Sequence, residues 1–296
     1  MVRTVPGTEA RLTLSFDVFS QGRGPAMASS ARIHPSAIIS PEAEIADNVE
    51  VGPHAVLEGK VRIGPGCVLR PGVFLVGPLT MGQGNSVFSG AVLGEKPQHL
   101  RYNNEPTSLE IGDGNVFREG VTIHRGTSHH MKTVIGNNNY FMANCHVGHD
   151  CVIGNNIILA NGALVAGHCV IGDNVFLSGN CALHQFARIG RLALLSACAI
   201  STKDIPPFIM QQGVDNVVGL NLVGMRRAGL TPMQINSVRQ AFRILFREGN
   251  PLAVAIARID NEFGHVDCVQ ELLTFLRQPG RGINAMRDRH QNEEAA

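Results

Sequence analysis

The sequence predicts a parallel β-helix followed by a C-terminal α-helical domain, and two observations carry that prediction. An apolar residue recurs at every sixth position from Ile33 to Leu195, and beyond Leu195 this frame gives way to helix start and stop signals. Written in sixes from Ile33, the chain places Ile, Val, Leu, Met or Phe in 25 of 28 first positions; the exceptions are His99, Glu105 and His129. The chain is 44% hydrophobic overall, so composition alone does not produce this regularity.

The other positions of the hexad are constrained too. Glycine often follows the apolar residue, as in Val51-Gly52, Ile63-Gly64, Val147-Gly148 and Ile171-Gly172, and is expected to supply a backbone conformation that other residues resist. The fifth position is small or β-branched, as at Ala37, Ala55, Ala91, Ala163 and Val175. Five of the seven cysteines (Cys67, Cys145, Cys151, Cys169 and Cys181) share this phase, which makes them core spacers and not ligands.

Three such hexads make one triangular coil of 18 residues, with first and fifth positions inward and third and fourth outward. About nine coils are expected. The polar exceptions to the frame mark two excursions, over residues 97–109 and 126–133. After Leu195, Thr231-Pro232 caps a helix running to Gly249, Asn250-Pro251 starts a second through Phe263, and a third ends before Pro279-Gly280. The expected organisation is a disordered leader over 1–30, the β-helix over 31–208 and the helical domain over 209–296. The leader has no signal-peptide apolar run and carries Glu9 and Asp17.

Net charge is +1, from 25 Lys and Arg against 24 Asp and Glu, so no basic field marks the chain as a general nucleic-acid binder. No apolar run reaches the ~18 residues of a membrane span. An odd number of cysteines without a C-x-x-C pair argues against a disulfide framework and a zinc ribbon, and fits a reducing, cytoplasmic compartment.

With 18 residues to a coil, His149, His168 and the pair His184-Gln185 fall on neighbouring coils near one edge. His149 and Asp150 occupy the outward third and fourth positions of the stretch NCHVGHDCVIGNN. Stacked outward histidines suit two chemistries. Neutral imidazoles on adjacent coils can bind zinc, as in hexapeptide-repeat carbonic anhydrases, although the spacing of this ladder counts against it. Alternatively, an imidazole with a reference pKa of ~6.5 can act as a general base on a sugar hydroxyl if a carboxylate fixes its tautomer.

The stretches GEKPQHLRY, EPTSLEIGDGN, FREGVTIHRGT, NCHVGHDCVIGN, ILANGALVAGH, ALHQFARIG, KDIPPF and GLNLVGMRRAGL, spread over both domains, resemble the UDP-N-acetylglucosamine O-acyltransferases that begin lipid A biosynthesis. The resemblance covers Ile33 to about Arg281. His124 stands where the related N-acyltransferase of the same pathway typically has Asp, which favours the O-acyltransferases.

The resemblance implies an all-β left-handed parallel β-helix of hexapeptide repeats with a C-terminal α-helical domain, assembled as a homotrimer. It also implies transfer of a 3-hydroxyacyl group from acyl carrier protein to the glucosamine 3-hydroxyl of UDP-N-acetylglucosamine, without cofactor or metal. His149 would be the general base, Asp150 its orienting partner, and the Gly167 backbone N–H the oxyanion donor. Gln98, Arg101, His146, His168, His184 and Gln185 would contact the nucleotide sugar or acyl group, and Asn221 and Arg227 the UDP end.

Ala197 matches a position at which side-chain bulk sets acyl length. Arg188, Arg191, Arg226 and Arg227 would attract the acidic carrier protein. The chain departs from the family's usual residues at His99 (commonly Asp), Arg101 (Lys) and Val223 (Glu). A zinc hydrolyase of the carbonic anhydrase type and a non-catalytic β-helix are the competing readings.

Overall fold

The computed structural model describes residues 30–278 and 280–286; the expected leader, apart from residue 30, lies outside the described residues. Short parallel strands, most of two residues, stack into three sheets of 11, 9 and 8 strands that form the faces of a prism. Along the second face, His146 pairs with Leu164, Leu164 with Ala182, and Ala182 with Ile200, each step one 18-residue coil.

First-position residues fill the prism. Leu57, Leu75, Leu93, Ile123, Leu159 and Leu195 are buried almost completely, each contributing about 1.5–3 kcal/mol by leaving water. The fifth-position cysteines are buried free thiols, and burial pushes Cys145 up to about 11 and Cys181 to about 12.

Within the stacked coils, three hexads put asparagine in the fifth position instead. Asn85, Asn115 and Asn139 form a buried ladder in which each side-chain oxygen accepts a backbone N–H from the next coil, so no amide is orphaned.

The glycine expectation needs one correction. Second-position glycines are not the residues in left-handed conformation; they are there because coils touch, and a Cβ on Gly64 would lie 2.6 Å from the Gly82 carbonyl carbon. The left-handed residue is the fourth of the hexad, with φ of 60° at Asp150 and 62° at His168. Asn, Asp and His tolerate this region better than most residues.

Both excursions are insertions into an unbroken stack. Val92 pairs with Thr122 and Leu79 with Leu109, each 30 residues apart, while Thr122 pairs with His146, 24 apart. The loops thus add two hexads and one hexad, which leaves the six-residue frame intact on either side. All three polar exceptions to that frame lie in the loops.

The stack ends when strand Ile209–Gln211 pairs parallel with Leu194–Leu195 and then antiparallel with Val217–Leu220. Helices follow at α1 (Leu222–Arg227), α2 (Pro232–Phe246), α3 (Leu252–Phe263) and α4 (Asp267–Arg277). The Thr231 hydroxyl accepts from Gln234 N–H, and Gln234 reaches back to Thr231 N–H, a complete capping box. Val238, Ala241, Leu245, Ile259, Val269 and Leu273 pack with Leu192 and Phe208, so the helices seal the end of the prism.

Candidate active site

The strand His146–Val147 turns a corner at Gly148-His149-Asp150, and one coil later Leu164–Val165 turns the same corner at Ala166-Gly167-His168. Third and fourth positions therefore stack, and His149, Asp150, Gly167 and His168 meet.

Asp150 is outward-facing but not exposed; its side chain is 0% accessible, because the second loop folds over it. Its Oδ2 accepts from His149 Nδ1 at 2.7 Å and from the Thr127 hydroxyl at 2.6 Å, and its Oδ1 accepts from Thr127 N–H at 2.8 Å. Burial by itself would raise the Asp150 pKa, but these hydrogen bonds outweigh it and hold the carboxyl well below the usual range. With Asp150 ionised, His149 must carry its proton on Nδ1, and Nε2 presents a lone pair.

Nε2 faces Gly167. A Cβ there would lie 2.8 Å from His149 Cε1 and 2.9 Å from Nε2, so only glycine leaves the ring room. Proline occupies the third position in five other hexads, at Pro35, Pro41, Pro53, Pro65 and Pro71, so the N–H of that position is outside the backbone ladder; at Gln83, Asp113, Asn137 and Asn155 it donates instead to a third-position side chain one coil on. At Gly167 it is available to a ligand beside the imidazole.

Other histidines surround the pair. His168 meets His149 edge-on at 5.0 Å between centroids and stacks on Phe186 at 4.4 Å. His99, on the first loop, approaches His149 edge-on at 5.3 Å. His146 Nδ1 is 2.8 Å from the Thr122 hydroxyl, and its ring contacts His124 at 4.9 Å. Burial is the main cause that brings His124 and His168 down to about 4; neighbouring imidazoles reinforce it in both, while Glu95 opposes it for His124 and Asp150 for His168. His146 is lowered as well, by burial and then by His149.

Of the remaining expected residues, His184 and Gln185 stand one coil further along this corner, exposed, with His184 Nδ1 donating to the Gln185 carbonyl at 3.0 Å. Gln98 and Arg101 are exposed on the first loop. Ala197 follows Leu194–Leu195 and so lies at another corner of the prism. Asn221 is the N-cap of α1: its Oδ1 accepts from Gly224 N–H and its Nδ2 donates to the Leu192 carbonyl, which engages both ends of the amide. Arg227 is exposed in the last turn of α1.

Two of the four basic residues are already paired. Arg188 binds Asp204 at 2.7 Å and Arg191 binds Glu271 at 2.7 Å, whereas Arg226 and Arg227 are exposed. Thr127 was not singled out by its sequence, because its contact with Asp150 arises only when the loop folds back. The chain's one His-x4-His pair is divided: His124 faces His146, and His129 lies with His130 and His168.

Comparison with known proteins agrees with the geometry. Residues 204–284 match the family model described as UDP-N-acetylglucosamine O-acyltransferase, domain 2, and residues 42–77 and 132–167 match bacterial transferase hexapeptide repeats. An acyl-[acyl-carrier-protein]--UDP-N-acetylglucosamine O-acyltransferase of Anaeromyxobacter sp. (strain Fw109-5) is 49% identical over 253 residues, covering 85% of this chain and 98% of the relative. The enzyme of that name from Myxococcus xanthus is 47% identical over 255 residues, covering 86% and 99%.

The crystal structure of a UDP-N-acetylglucosamine acyltransferase from Bacteroides fragilis superposes with a TM-score of 0.83 at 36% identity, covering 85% of this chain and 99% of that one. The fold is the left-handed parallel β-helix with a C-terminal helical region. Neither the carbonic anhydrase nor the non-catalytic reading finds support in these relatives. At 49% and 47% identity over 85% and 86% of its length, and over nearly the whole of those relatives, the chain belongs to the UDP-N-acetylglucosamine O-acyltransferase family.

Proposed function

We propose that the chain transfers a 3-hydroxyacyl group from acyl carrier protein to the 3-hydroxyl of the glucosamine ring of UDP-N-acetylglucosamine, the first step of lipid A biosynthesis. The observation that carries the residue assignment is the His149–Asp150 hydrogen bond of 2.7 Å, which leaves Nε2 as a proton acceptor against Gly167.

In this mechanism Nε2 of His149 takes the proton of the sugar hydroxyl as its oxygen attacks the thioester carbonyl. The resulting oxyanion accepts the Gly167 N–H, and Asp150 stabilises the imidazolium. Collapse expels the carrier thiolate, which receives that proton, so His149 returns to its starting state. No cofactor or metal takes part in these steps.

His146, His168, His184, Gln185, Gln98 and Arg101 hold the acceptor sugar and the acyl group near this corner, and Asn221 and Arg227 hold the nucleotide end. Because Asn221 is engaged as a cap, it serves by fixing α1, with the exposed Arg227 meeting phosphate. Arg226 and Arg227 attract the carrier protein.

The working unit is a homotrimer with sites between prisms, operating in the cytoplasm. What supports the trimer is the corner itself: the exposed apolar residues Leu164 and Ile200 on one side and Val152 and Val170 on the other leave surface for an acyl chain and a second prism. No helix among the described residues is long and apolar enough to cross a membrane. Ala197 limits acyl length.

The test is acyl transfer to UDP-N-acetylglucosamine from carrier proteins loaded with 3-hydroxyacyl groups of several lengths, for the wild type and His149→Ala. Transfer lost in the variant, with its fold intact, is the expected result. A wild type inert with every donor overturns the reading.

A further inference from the structure

The second loop places two histidines beside a third that belongs to the corner. Ring nitrogens of His129, His130 and His168, one from each, lie within 4.8 Å of one another. The rings of His129 and His130 are 4.4 Å apart between centroids, and each is within 5.6 Å of His168. Nothing in the proposed acyl transfer uses His129 or His130.

His168 is prepared as a ligand. Its side chain is 9% accessible, and its Nδ1 is buried without a hydrogen-bond partner among the described residues. Its Nε2 lies 3.6 Å from Asp150 Oδ2, beyond a hydrogen bond but near enough to favour the tautomer with the proton on Nε2. That leaves the Nδ1 lone pair open. A carboxylate behind the non-ligating nitrogen is the usual outer-shell support of a metal-binding histidine, and stacking on Phe186 fixes the ring plane.

The loop is anchored on both sides of the pair. Thr127 is held by Asp150, and Lys132 enters the strand Lys132–Ile135, so His129 and His130 occupy a short span between fixed points. Ligand nitrogens around a tetrahedral ion sit about 3.3 Å apart, given metal–nitrogen distances of about 2.0–2.1 Å. The exposed rings of His129 and His130 can close the difference by rotamer change.

We propose that His129, His130 and His168 form a site for a borderline transition cation, Zn2+ in the first instance, at the rim of the active site. Three neutral nitrogen donors select Zn2+, Cu2+ or Ni2+ over Mg2+ and Ca2+, which prefer oxygen. The fourth position of the ion is left to water.

The site shares His168 with the other close set at this corner, His149, Asp150 and His168, but that set is already engaged, because both Asp150 oxygens accept hydrogen bonds. The cation is inhibitory, because it pins His168, whose ring lies 5.0 Å from that of His149 between centroids. This consequence rests on the acyl-transfer reading; the binding itself does not.

The experiment uses full-length chain without affinity histidines, stripped with chelator and titrated with Zn2+ against a chromophoric indicator. The comparison is His129→Ala/His130→Ala, with circular dichroism to verify the fold. One ion per chain is expected in the wild type, with affinity about 100-fold or more weaker in the double variant. Co2+ should give the visible absorption of a four-coordinate nitrogen site in the wild type alone.

Acyl transfer, measured in parallel, should fall on adding Zn2+ to the wild type and recover with chelator, while the double variant keeps its metal-free rate and resists Zn2+. No stoichiometric binding at 100-µM-order Zn2+, or equal binding by the double variant, overturns the proposal. A chain that binds Zn2+ as expected but transfers no acyl group overturns the acyl-transfer reading and leaves the metal site standing.

Discussion

His149 Nδ1 and Asp150 Oδ2 are 2.7 Å apart, although the two residues are adjacent in sequence and could equally have pointed apart. The left-handed backbone of Asp150, φ 60°, brings its carboxylate back towards the preceding imidazole, and Thr127 fixes it there through two more hydrogen bonds. The carboxylate is thereby held ionised and aimed, which sets the tautomer of His149 through geometry.

Asp150→Asn keeps the shape and removes the charge. An amide offers Nδ1 either a weaker acceptor or a donor, so part of the population adopts the tautomer with its proton on Nε2. Turnover is expected to drop about 100- to 10,000-fold, with KM for the acceptor changed little. Steady-state kinetics measures this; an unaltered kcat would remove Asp150 from the mechanism.

Thr127 acts on the reaction through Asp150. Thr127→Val deletes the 2.6 Å hydrogen bond but retains the backbone N–H contact. Losing a hydrogen bond to a buried carboxylate costs about 1.5–3 kcal/mol. Turnover should therefore fall about 10- to 100-fold with KM little changed, and Thr127→Ser should restore most of it, whereas a purely structural role would lower stability and leave kcat in place.

Gly167→Ala tests the contact on the other side of the imidazole. The added methyl would lie 2.8–2.9 Å from the ring of His149, and the backbone at Gly167 has no left-handed φ that would itself strain alanine. The variant should therefore fold and melt near the wild type while losing about 100-fold or more in kcat as the base is displaced. Wild-type turnover would show that the ring does not work from this position.

Stability should depend on pH in a defined window. His124 and His168 have folded pKa values of about 4 against 6.5 for a free imidazole, so between these values the unfolded chain binds more protons. Their neutral burial therefore favours the fold fully above about pH 6.5 and progressively less as pH falls towards 4. Asp150, depressed below 3.8, adds a contribution that is present above that value and fades below it. Tm measured from pH 4 to 7 should rise with pH, and His124→Gln should flatten part of the slope. A Tm constant across the range would contradict both assignments.

The helices show how far local signals reach. Thr231-Pro232 and Asn250-Pro251 mark starts that agree with α2 and α3 to within a residue or two, because capping is a local event. Helix α1 was invisible: six residues are too few to show a period, and it forms because Asn221 caps it and Met225 is buried against its neighbours. Strands Ile209–Gln211 and Val217–Leu220 were equally hidden, since the hexad frame has lapsed and only the preceding coil templates them.

By itself, the sequence determined the prism, its coil length, the two insertions and the line of histidines, because each follows from a six-residue period that every coil repeats. Tertiary structure alone decided what those histidines do. The burial of Asp150 under Thr127, the meeting of His149 with Gly167 and the gathering of His129 and His130 at His168 all depend on where a loop lands. A loop's landing place is set by contacts between residues far apart in the chain, for which no period exists.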